Sequence, residues 1–156
     1  MIRSPLTTWR NVLVTKKEKL DKLGSVPLFH GLGQKDLEKI LDRMKETFHV
    51  ADDHVIDEGR AGLGFHLILE GEASVIRNGR TAARLGPGEF FGEMALVDDG
   101  PRSATVVAAT DLATVVLSKW EFRPLLKDHP EMAWKMIEHL VARVREEQTG
   151  RDALIC

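Results

Sequence analysis

The stretch FGEMALVDDGPRSAT, residues 91–105, carries the densest set of functional signals in this 156-residue sequence. Its first half places Gly92 directly before Glu93, and Arg102 follows that glutamate by nine positions. A glycine lets the backbone approach a ligand closely, and an arginine presents paired donors in a rigid fork. This combination is typical of a loop that binds an anion, and the flanking sequence decides which fold presents the loop.

Short apolar runs separated by turn residues occupy the region from Phe48 to Leu117 on both sides of this stretch. The runs are Val55–Ile56, Phe65–Leu69, Ala73–Ile76, Val106–Val107 and Ala113–Leu117. Glycine-containing turns lie between them, and Asn78–Gly79 is the best hairpin signal because both residue types accept a left-handed backbone. The spacing predicts an antiparallel β-barrel or β-roll.

Helical patterns lie before and after the strand region. A broken apolar stripe predicts a helix over Thr8–Leu23, and apolar residues at i, i+3, i+4 and i+7 from Leu37 predict a second helix. Helices that flank a block of strands favour an α+β fold over a doubly wound α/β fold.

The helices after the strands have clear start signals. Ser118 and Glu121 have the spacing of a capping box, and Pro124 is expected to limit or kink the helix that they open. Pro130 lies in the first turn of a longer helix that is expected to reach about Gln148. That helix has a wide apolar stripe, for which simple docking on the strands is the leading interpretation and a mobile or dimerising face is the other.

Bulk composition restricts the class of protein. The formal net charge is -2 and the charged fraction is 29%, so a general nucleic-acid binder is not indicated and any anion is bound locally. The lone cysteine, Cys156, excludes a disulfide framework within the chain, which favours a reducing cytoplasm. No apolar run approaches the length of a membrane span. One compact domain is expected from the length.

Residues 91–105 resemble the phosphate-binding cassette of the cyclic nucleotide-binding domains found in the catabolite activator protein, the regulatory subunits of protein kinase A, cGMP-dependent protein kinases and cyclic nucleotide-gated channels. The segments Val26–Phe29, Glu58–Gly59 and Leu67–Gly71 also resemble motifs of that family, so the likeness covers roughly residues 25–147. It implies a β-roll, which is a jelly-roll-like double-stranded β-helix, flanked by N-terminal and C-terminal helices.

On this resemblance the chain divides into three parts. Residues 1–24 form an N-terminal helical extension, residues 25–148 form the cyclic nucleotide-binding domain, and residues 149–156 form a tail. Within the domain the roll covers about 48–117, and C-terminal lid helices cover about 118–148. The lid helices are expected to repack over the bound nucleotide.

The cassette residues suit a cyclic phosphodiester chemically. Arg102 can bind its single delocalised charge bidentately, and backbone amides at the start of a helical turn after Gly92 can donate to it. Glu93 is expected to accept a hydrogen bond from the ribose 2′-hydroxyl, as the resemblance implies. The predicted ligand-binding set is Gly92, Glu93, Met94, Ala95, Arg102 and Ser103.

The identity of the base is less well defined by the sequence. Serine follows the arginine in the catabolite activator protein, alanine in protein kinase A and threonine in cGMP-selective members, so Ser103 favours cAMP and leaves cGMP open. Arg143 or Val144, near the end of the long helix, is a further candidate for a base contact. No cofactor is predicted besides this ligand.

Other functions fit the sequence less well. A cupin would need clustered histidines, whereas the six here are scattered and predict surface or packing roles and no metal site. They are His30, His49, His54, His66, His129 and His139. No nucleophile elbow or P-loop is present, so an enzyme is not predicted.

Three alternatives for the biological role stay open. The chain is a sensor that signals through an unidentified effector protein, the receptor part of a larger transcription factor or channel, or a scaffold of the same fold that binds no ligand. No helix-turn-helix is apparent, so direct binding to nucleic acid is not expected. A homodimer through the C-terminal helix is left open.

Overall fold

A computed structural model describes residues 14–60 and 64–151. The helical elements are α1 (Lys16–Gly24), a 3₁₀ helix (Pro27–Phe29), α2 (Gln34–Leu41), a second 3₁₀ helix (Glu93–Leu96), α3 (Lys119–Asp128) and α4 (Pro130–Arg151). The strands are β1 (Lys45–His49), β2 (His54–Ile56), β3 (Gly64–Glu70), β4 (Ala73–Arg77), β5 (Arg80–Leu85), β6 (Phe90–Phe91), β7 (Thr105–Ala108) and β8 (Leu112–Ser118).

The strands form two antiparallel four-stranded sheets. The first sheet has the order β1-β8-β3-β6, and the second has the order β2-β7-β4-β5. Apart from the β4–β5 hairpin, neighbours in each sheet are distant in sequence, as in β3 with β8 and β4 with β7, which is the pairing of a roll and not of a simple meander. The predicted α+β architecture, an antiparallel β-roll with helices at both ends, is confirmed.

The Asn78–Gly79 hairpin is present as predicted. Strands β4 and β5 pair through Arg77 and Arg80, so the loop between them has two residues. Asn78 and Gly79 have φ angles of 51° and 75°, the left-handed values that a two-residue primed turn requires.

Strand β1 was not predicted, and β5 only as the second arm of the hairpin, so the roll begins at Lys45 and not at Phe48. Each is an edge strand with one neighbour, β8 for β1 and β4 for β5. Their side chains are mostly exposed, so neither strand needs the apolar alternation that reveals a half-buried strand.

The first helix is shorter than predicted over the described residues. Helix α1 begins at Lys16 because the Thr15 hydroxyl accepts a hydrogen bond from the Glu18 amide at 3.1 Å, an N-cap that the prediction over Thr8–Leu23 overlooked. The part of that prediction on residues 8–13 lies outside the described residues.

The C-terminal helices begin where the sequence indicated. The Ser118 hydroxyl accepts a hydrogen bond from the Glu121 amide at 3.2 Å, and α4 begins at Pro130. The Glu121 carboxylate accepts a hydrogen bond from Arg43 at 3.3 Å, a partner outside the capping box. Pro124 does not end α3, which continues to Asp128, and α4 extends to Arg151, three residues beyond the expected end.

Two apolar clusters fix the helices and sheets in place. In the larger one, Phe29 packs edge-on against Phe65 and Phe122, with ring centroids 5.5 Å and 5.9 Å apart. This joins the N-terminal 3₁₀ helix, the first sheet and α3. The smaller cluster, which includes Ile68, Phe91 and Val106, fills the space between the two sheets. No helix in the described part of the chain is long and apolar enough to cross a membrane.

Candidate functional site

A cavity of about 400 Å³ opens between the second sheet and the segment that follows β6. Its volume lies in the range that holds a nucleotide-sized ligand. The wall toward the second sheet is largely apolar, and the opposite wall contains residues 90–95 and 100–104. Among the residues that line it are Gly92, Glu93, Met94, Ala95, Arg102 and Ser103. The predicted set is therefore brought together around one space.

Gly92 occupies a position that only glycine fits. It is the residue before the second 3₁₀ helix and has a φ angle of 81°. A Cβ atom here would lie 2.6 Å from Nη1 of Arg102 and 2.7 Å from the carbonyl oxygen of Gly64. Both the backbone conformation and the close approach of the arginine thus exclude a side chain.

The amides after Gly92 are only partly available to a ligand. The Ala95 amide donates to the Gly92 carbonyl at 3.2 Å, within the 3₁₀ turn. The amides of Glu93 and Met94 precede this bond and, like the first amides of any helix, have no acceptor in the preceding turn. Of the three amide donors expected from the sequence, the first two are therefore the better placed.

Two backbone carbonyl groups hold the side chain of Arg102 in place. Its Nη2 donates to Gly64 at 2.6 Å and its Nη1 donates to Gly92 at 3.2 Å. Burial lowers the pKa of the guanidinium from its ordinary value, while the Glu93 carboxylate acts in the opposite direction. A guanidinium has five N–H donors, so those not used for these two bonds remain for an anion in the cavity.

The turn at Glu58–Gly59 holds the backbone of Arg102 through hydrogen bonds. The Gly59 amide donates to the Arg102 carbonyl at 2.8 Å, and the Arg102 amide donates to the Arg60 carbonyl at 2.9 Å. The Glu58 amide also donates to the hydroxyl of Thr105 at 2.9 Å. The motif at Glu58–Gly59 thus fixes the backbone on both sides of Arg102.

Comparison with known proteins identifies this arrangement. Residues 47–129, just over half of the chain, match the family described as "Cyclic nucleotide-binding domain". The chain belongs to the cyclic nucleotide-binding domain family.

Two curated relatives of this nucleotide-binding domain are similar in sequence. The cyclic AMP receptor protein of Thermus thermophilus is 32% identical over 133 residues, which cover 82% of this chain and 62% of the relative. A cAMP-dependent protein kinase regulatory subunit of Eremothecium gossypii is 40% identical over 125 residues, which cover 76% of this chain and 27% of the relative. The chain thus spans less than two thirds of either relative.

Two solved structures have the same fold. The N-terminal domain of a transcriptional regulator from Streptomyces coelicolor has a TM-score of 0.77 at 28% identity, covering 86% of this chain and 98% of that domain. The regulatory domain of Toxoplasma gondii protein kinase A, solved with cAMP, has a TM-score of 0.65 at 29% identity, covering 75% of this chain and 48% of that one.

The remaining cassette residues of the nucleotide-binding domain differ in exposure. Glu93 is half-buried, Ser103 is exposed and Ala104 is buried at the cavity wall. Met94 lines the cavity and is 70% exposed. Glu93 and Arg102 thus both line one cavity.

The two candidate base contacts on the long helix lie away from the cavity. Val144 is 53% exposed and Arg143 is half-buried, and neither lines the cavity. Any contact that they make with a nucleotide requires α4 to move, so these two assignments stay predictions.

His66 lies next to the cassette and was not predicted as part of the site. Strand β3 pairs it with Phe91, and the two rings stack with centroids 4.7 Å apart and an interplanar angle of 10°. The pKa of His66 is lowered to about 3. Burial is the largest cause, followed by the charge of Arg102 and then by that of His49. Its Nδ1 lies 3.4 Å from the hydroxyl of the buried Thr114. A single histidine in an apolar run gives no spacing signal, so only the strand pairing reveals its position.

This lowered pKa predicts that stability depends on pH. The unfolded chain protonates His66 near pH 6.5 and the folded chain does not, so the free energy of unfolding falls as the pH drops below 6.5. Between pH 7 and pH 5 this residue alone should account for about 2 kcal/mol. Chemical denaturation of the parent and of His66→Phe, at both pH values, measures the difference.

The comparison between the parent and His66→Phe isolates the contribution of His66, because the carboxylates and the other histidines are the same in both proteins. The fall in unfolding free energy between the two pH values should be smaller in His66→Phe than in the parent by that amount. An identical fall in both proteins would show that His66 is not held neutral.

No group of three or more histidine, cysteine, aspartate or glutamate side chains that could hold a metal ion occurs within residues 14–60 and 64–148. Among the polar residues that line the cavity are Arg77, Glu93, Asp98, Arg102 and Ser103.

Proposed function

We propose that this domain is a cytoplasmic receptor for cAMP, with cGMP as the weaker ligand, and that it has no catalytic activity of its own. The observation that carries the proposal is the placement of Arg102, Glu93 and the first amides after Gly92 around one cavity. The guanidinium and the amides meet the phosphate, and the carboxylate meets the ribose 2′-hydroxyl. No pair of groups suited to acid–base or nucleophilic chemistry is needed for binding.

The preference for cAMP has two supports. Ser103 lies exposed on the cavity wall directly after Arg102, the position at which the catabolite activator protein also has a serine. The two curated relatives bear cAMP in their names, and the Toxoplasma regulatory domain was solved with cAMP.

Titration calorimetry with three ligands tests the proposed function. We expect saturable one-to-one binding of cAMP, weaker binding of cGMP, and at least about tenfold weaker binding of 5′-AMP, whose phosphate is dianionic and is not fixed by a ring to the ribose. Absence of saturable binding by both cyclic nucleotides would reject the receptor proposal and leave a scaffold that retains the fold.

Replacement of Glu93 should affect recognition of the sugar. In Glu93→Ala the affinity for cAMP should fall by about tenfold to hundredfold, because a hydrogen bond to a charged group contributes about 1.5 to 3 kcal/mol. The affinity for 2′-deoxy-cAMP should change much less, since that ligand lacks the hydroxyl. The ratio of the two dissociation constants, measured by calorimetry, should approach one in the variant. An unchanged ratio would remove the ribose assignment.

The lid helices are proposed to repack when the ligand binds. In this structure the first turns of α4 are docked, with Met132 and Met136 buried, while Ile137, Val141 and Val144 further along are 51%, 47% and 53% exposed. A ligand shifts such a helix only if it binds one packing more tightly than the other. A contact of Arg143 or Val144 with the base would provide that difference.

A homodimer through α4 is part of the proposal. Trp134, Ile137, Val141 and Val144, which are 47 to 64% exposed, recur at alternating steps of three and four residues. That is the a/d spacing of a two-stranded coiled coil, so a second copy of α4 is the occupant that fits this face. Sedimentation velocity should give a dimer for the parent, and Val141→Glu should give a monomer. A parent that sediments as a monomer at all concentrations would reject the dimer and favour a separate effector protein.

A receptor module of a larger regulator is the second candidate. The alignment covers 98% of the N-terminal domain of the Streptomyces transcriptional regulator, so this chain is similar to nearly the whole of that domain. Direct binding to nucleic acid is not proposed for the chain itself. A gel shift with random duplex DNA at low salt, the condition that favours phosphate contacts, should show no complex.

A further inference from the structure

A loop within the cassette is bound to the first lid helix, α3, through one carboxylate oxygen. Asp99 lies between the second 3₁₀ helix and Arg102, and its Oδ1 accepts a hydrogen bond from Lys119 Nζ at 3.0 Å and another from Arg123 Nη2 at 3.0 Å. Lys119 and Arg123 are one turn apart on α3. Both donors therefore reach the same atom from one face of the helix.

A second contact reinforces this junction. Nε of Arg123 donates to the carbonyl oxygen of Leu96, the last residue of the 3₁₀ helix, at 3.4 Å. The Lys119 side chain is only 12% exposed and its ammonium lies 5.0 Å from the centroid of the Trp120 ring. The hydrogen bonds from Lys119 and Arg123, followed by their charges, lower the pKa of Asp99, so it is charged at neutral pH.

We propose that Asp99 is a positioning residue that couples the phosphate-binding cassette to α3, so that displacement of the cassette by a ligand moves the lid helices. This inference rests on the proposed function. Its geometric basis is that two cations on successive turns share one oxygen, so a rotation or shift of α3 relative to the cassette breaks both bonds together. The cassette and the helix therefore move as one unit while Asp99 is in place.

The ion pairs of Asp99 are expected to affect the coupling between the cassette and α3 more than the free energy of unfolding of the whole domain. The Asp99 side chain is 69% exposed, and exposed ion pairs contribute little to the free energy of unfolding. Local opening of a loop, by contrast, is controlled by the few bonds that hold that loop. The expected effect of removing Asp99 is thus a local one, at the cassette and α3.

Hydrogen exchange on the ligand-free protein tests the junction without any nucleotide. In Asp99→Asn we expect the amides of residues 96–102 and 119–123 to lose protection by about threefold to tenfold relative to the parent. Asp99→Glu, which retains the charge, should recover at least part of that protection. The melting temperature should be unchanged in both variants.

Glu72→Gln is the matched control. Glu72 is 53% exposed, lies directly before β4, and pairs with Arg84 of β5 at 3.1 Å. Its loss should leave exchange at residues 96–102 and 119–123 as in the parent. Parental exchange in Asp99→Asn, or equal changes in Asp99→Asn and Glu72→Gln, would overturn the proposal.

The same four proteins with saturating cAMP test the transmission of the signal. In the parent and in Glu72→Gln we expect changes in exchange at both the cassette and residues 119–151. In Asp99→Asn the change at the cassette should remain, and the change at the helices should fall by at least half. A full helix response in Asp99→Asn would refute the coupling. If the parent itself binds no cyclic nucleotide, the receptor proposal fails, and the ligand-free comparison still decides whether Asp99 holds the cassette to α3.

Discussion

Arg102→Ala is expected to weaken cAMP binding by at least about hundredfold. The guanidinium can offer two charge-assisted hydrogen bonds to the phosphate, each of about 1.5 to 3 kcal/mol, and 1.4 kcal/mol corresponds to a factor of ten in affinity. Arg102→Lys should lose much of the same affinity, because an ammonium group has only three donors and the Gly64 and Gly92 carbonyls would leave at most one of them for the phosphate. Titration calorimetry measures both variants.

The structural contribution of Arg102 must be separated from its contribution to binding. Its side chain also holds the backbone at Gly64 and Gly92, so the melting temperature of each variant should be recorded with its affinity. Arg84→Ala, which removes an exposed arginine of the second sheet, is the matched control and should bind as the parent does. An Arg102→Ala protein whose affinity lies within threefold of the parent would exclude Arg102 as the phosphate ligand.

Gly92→Ala is expected to abolish measurable cAMP binding, which we equate with a loss of more than about hundredfold. The new methyl group would overlap Nη1 of Arg102 and the Gly64 carbonyl oxygen, at 2.6 Å and 2.7 Å from the Cβ position. Relief of that overlap displaces the guanidinium, the group on which phosphate binding depends. The left-handed backbone at φ 81° adds about 1 to 2 kcal/mol of strain.

Gly79→Ala controls for the backbone strain alone. Gly79 has a φ angle of 75°, close to that of Gly92, but a Cβ atom there would meet nothing within 4 Å. Its alanine variant should lose about 1 to 2 kcal/mol of stability and keep the parental affinity for cAMP. Parental affinity in Gly92→Ala would mean that the cassette tolerates a side chain at this position, contrary to the close approach seen here.

Local signals in the sequence predicted those parts of the fold that depend on local physics. The Asn78–Gly79 turn, the cap at Ser118 and the start of α4 at Pro130 depend on the conformations of a few adjacent residues, and all three are present. Strand β1 depends instead on pairing with β8, about 65 residues later in the chain, and its exposed side chains carry no alternation. Long-range pairing of this kind leaves no trace in a single sequence.

The residues of the site also fall into two groups: those that local sequence could predict, and those that only long-range strand pairing brings to the site. Residues 92–95 and 102–103 lie close together in sequence, and all six line the cavity, but the residues that the second sheet contributes to its wall were not predicted. The carbonyl of Gly64 behind Arg102, and His66 stacked on Phe91, come from strand β3, and only the pairing of β3 with β6 brings them to the cassette. The ion pairs of Asp99 depend likewise on where α3 packs.

A crystal structure of the complex with cAMP would show where the nucleotide binds. We predict that the cyclic phosphate lies in the cavity between the second sheet and residues 91–105, with its oxygens bonded to the Arg102 guanidinium and to the amides of Glu93 and Met94. The ribose 2′-hydroxyl should donate to the Glu93 carboxylate. A nucleotide bound with its phosphate away from Arg102, or outside this cavity, would exclude this cavity as the cyclic nucleotide site.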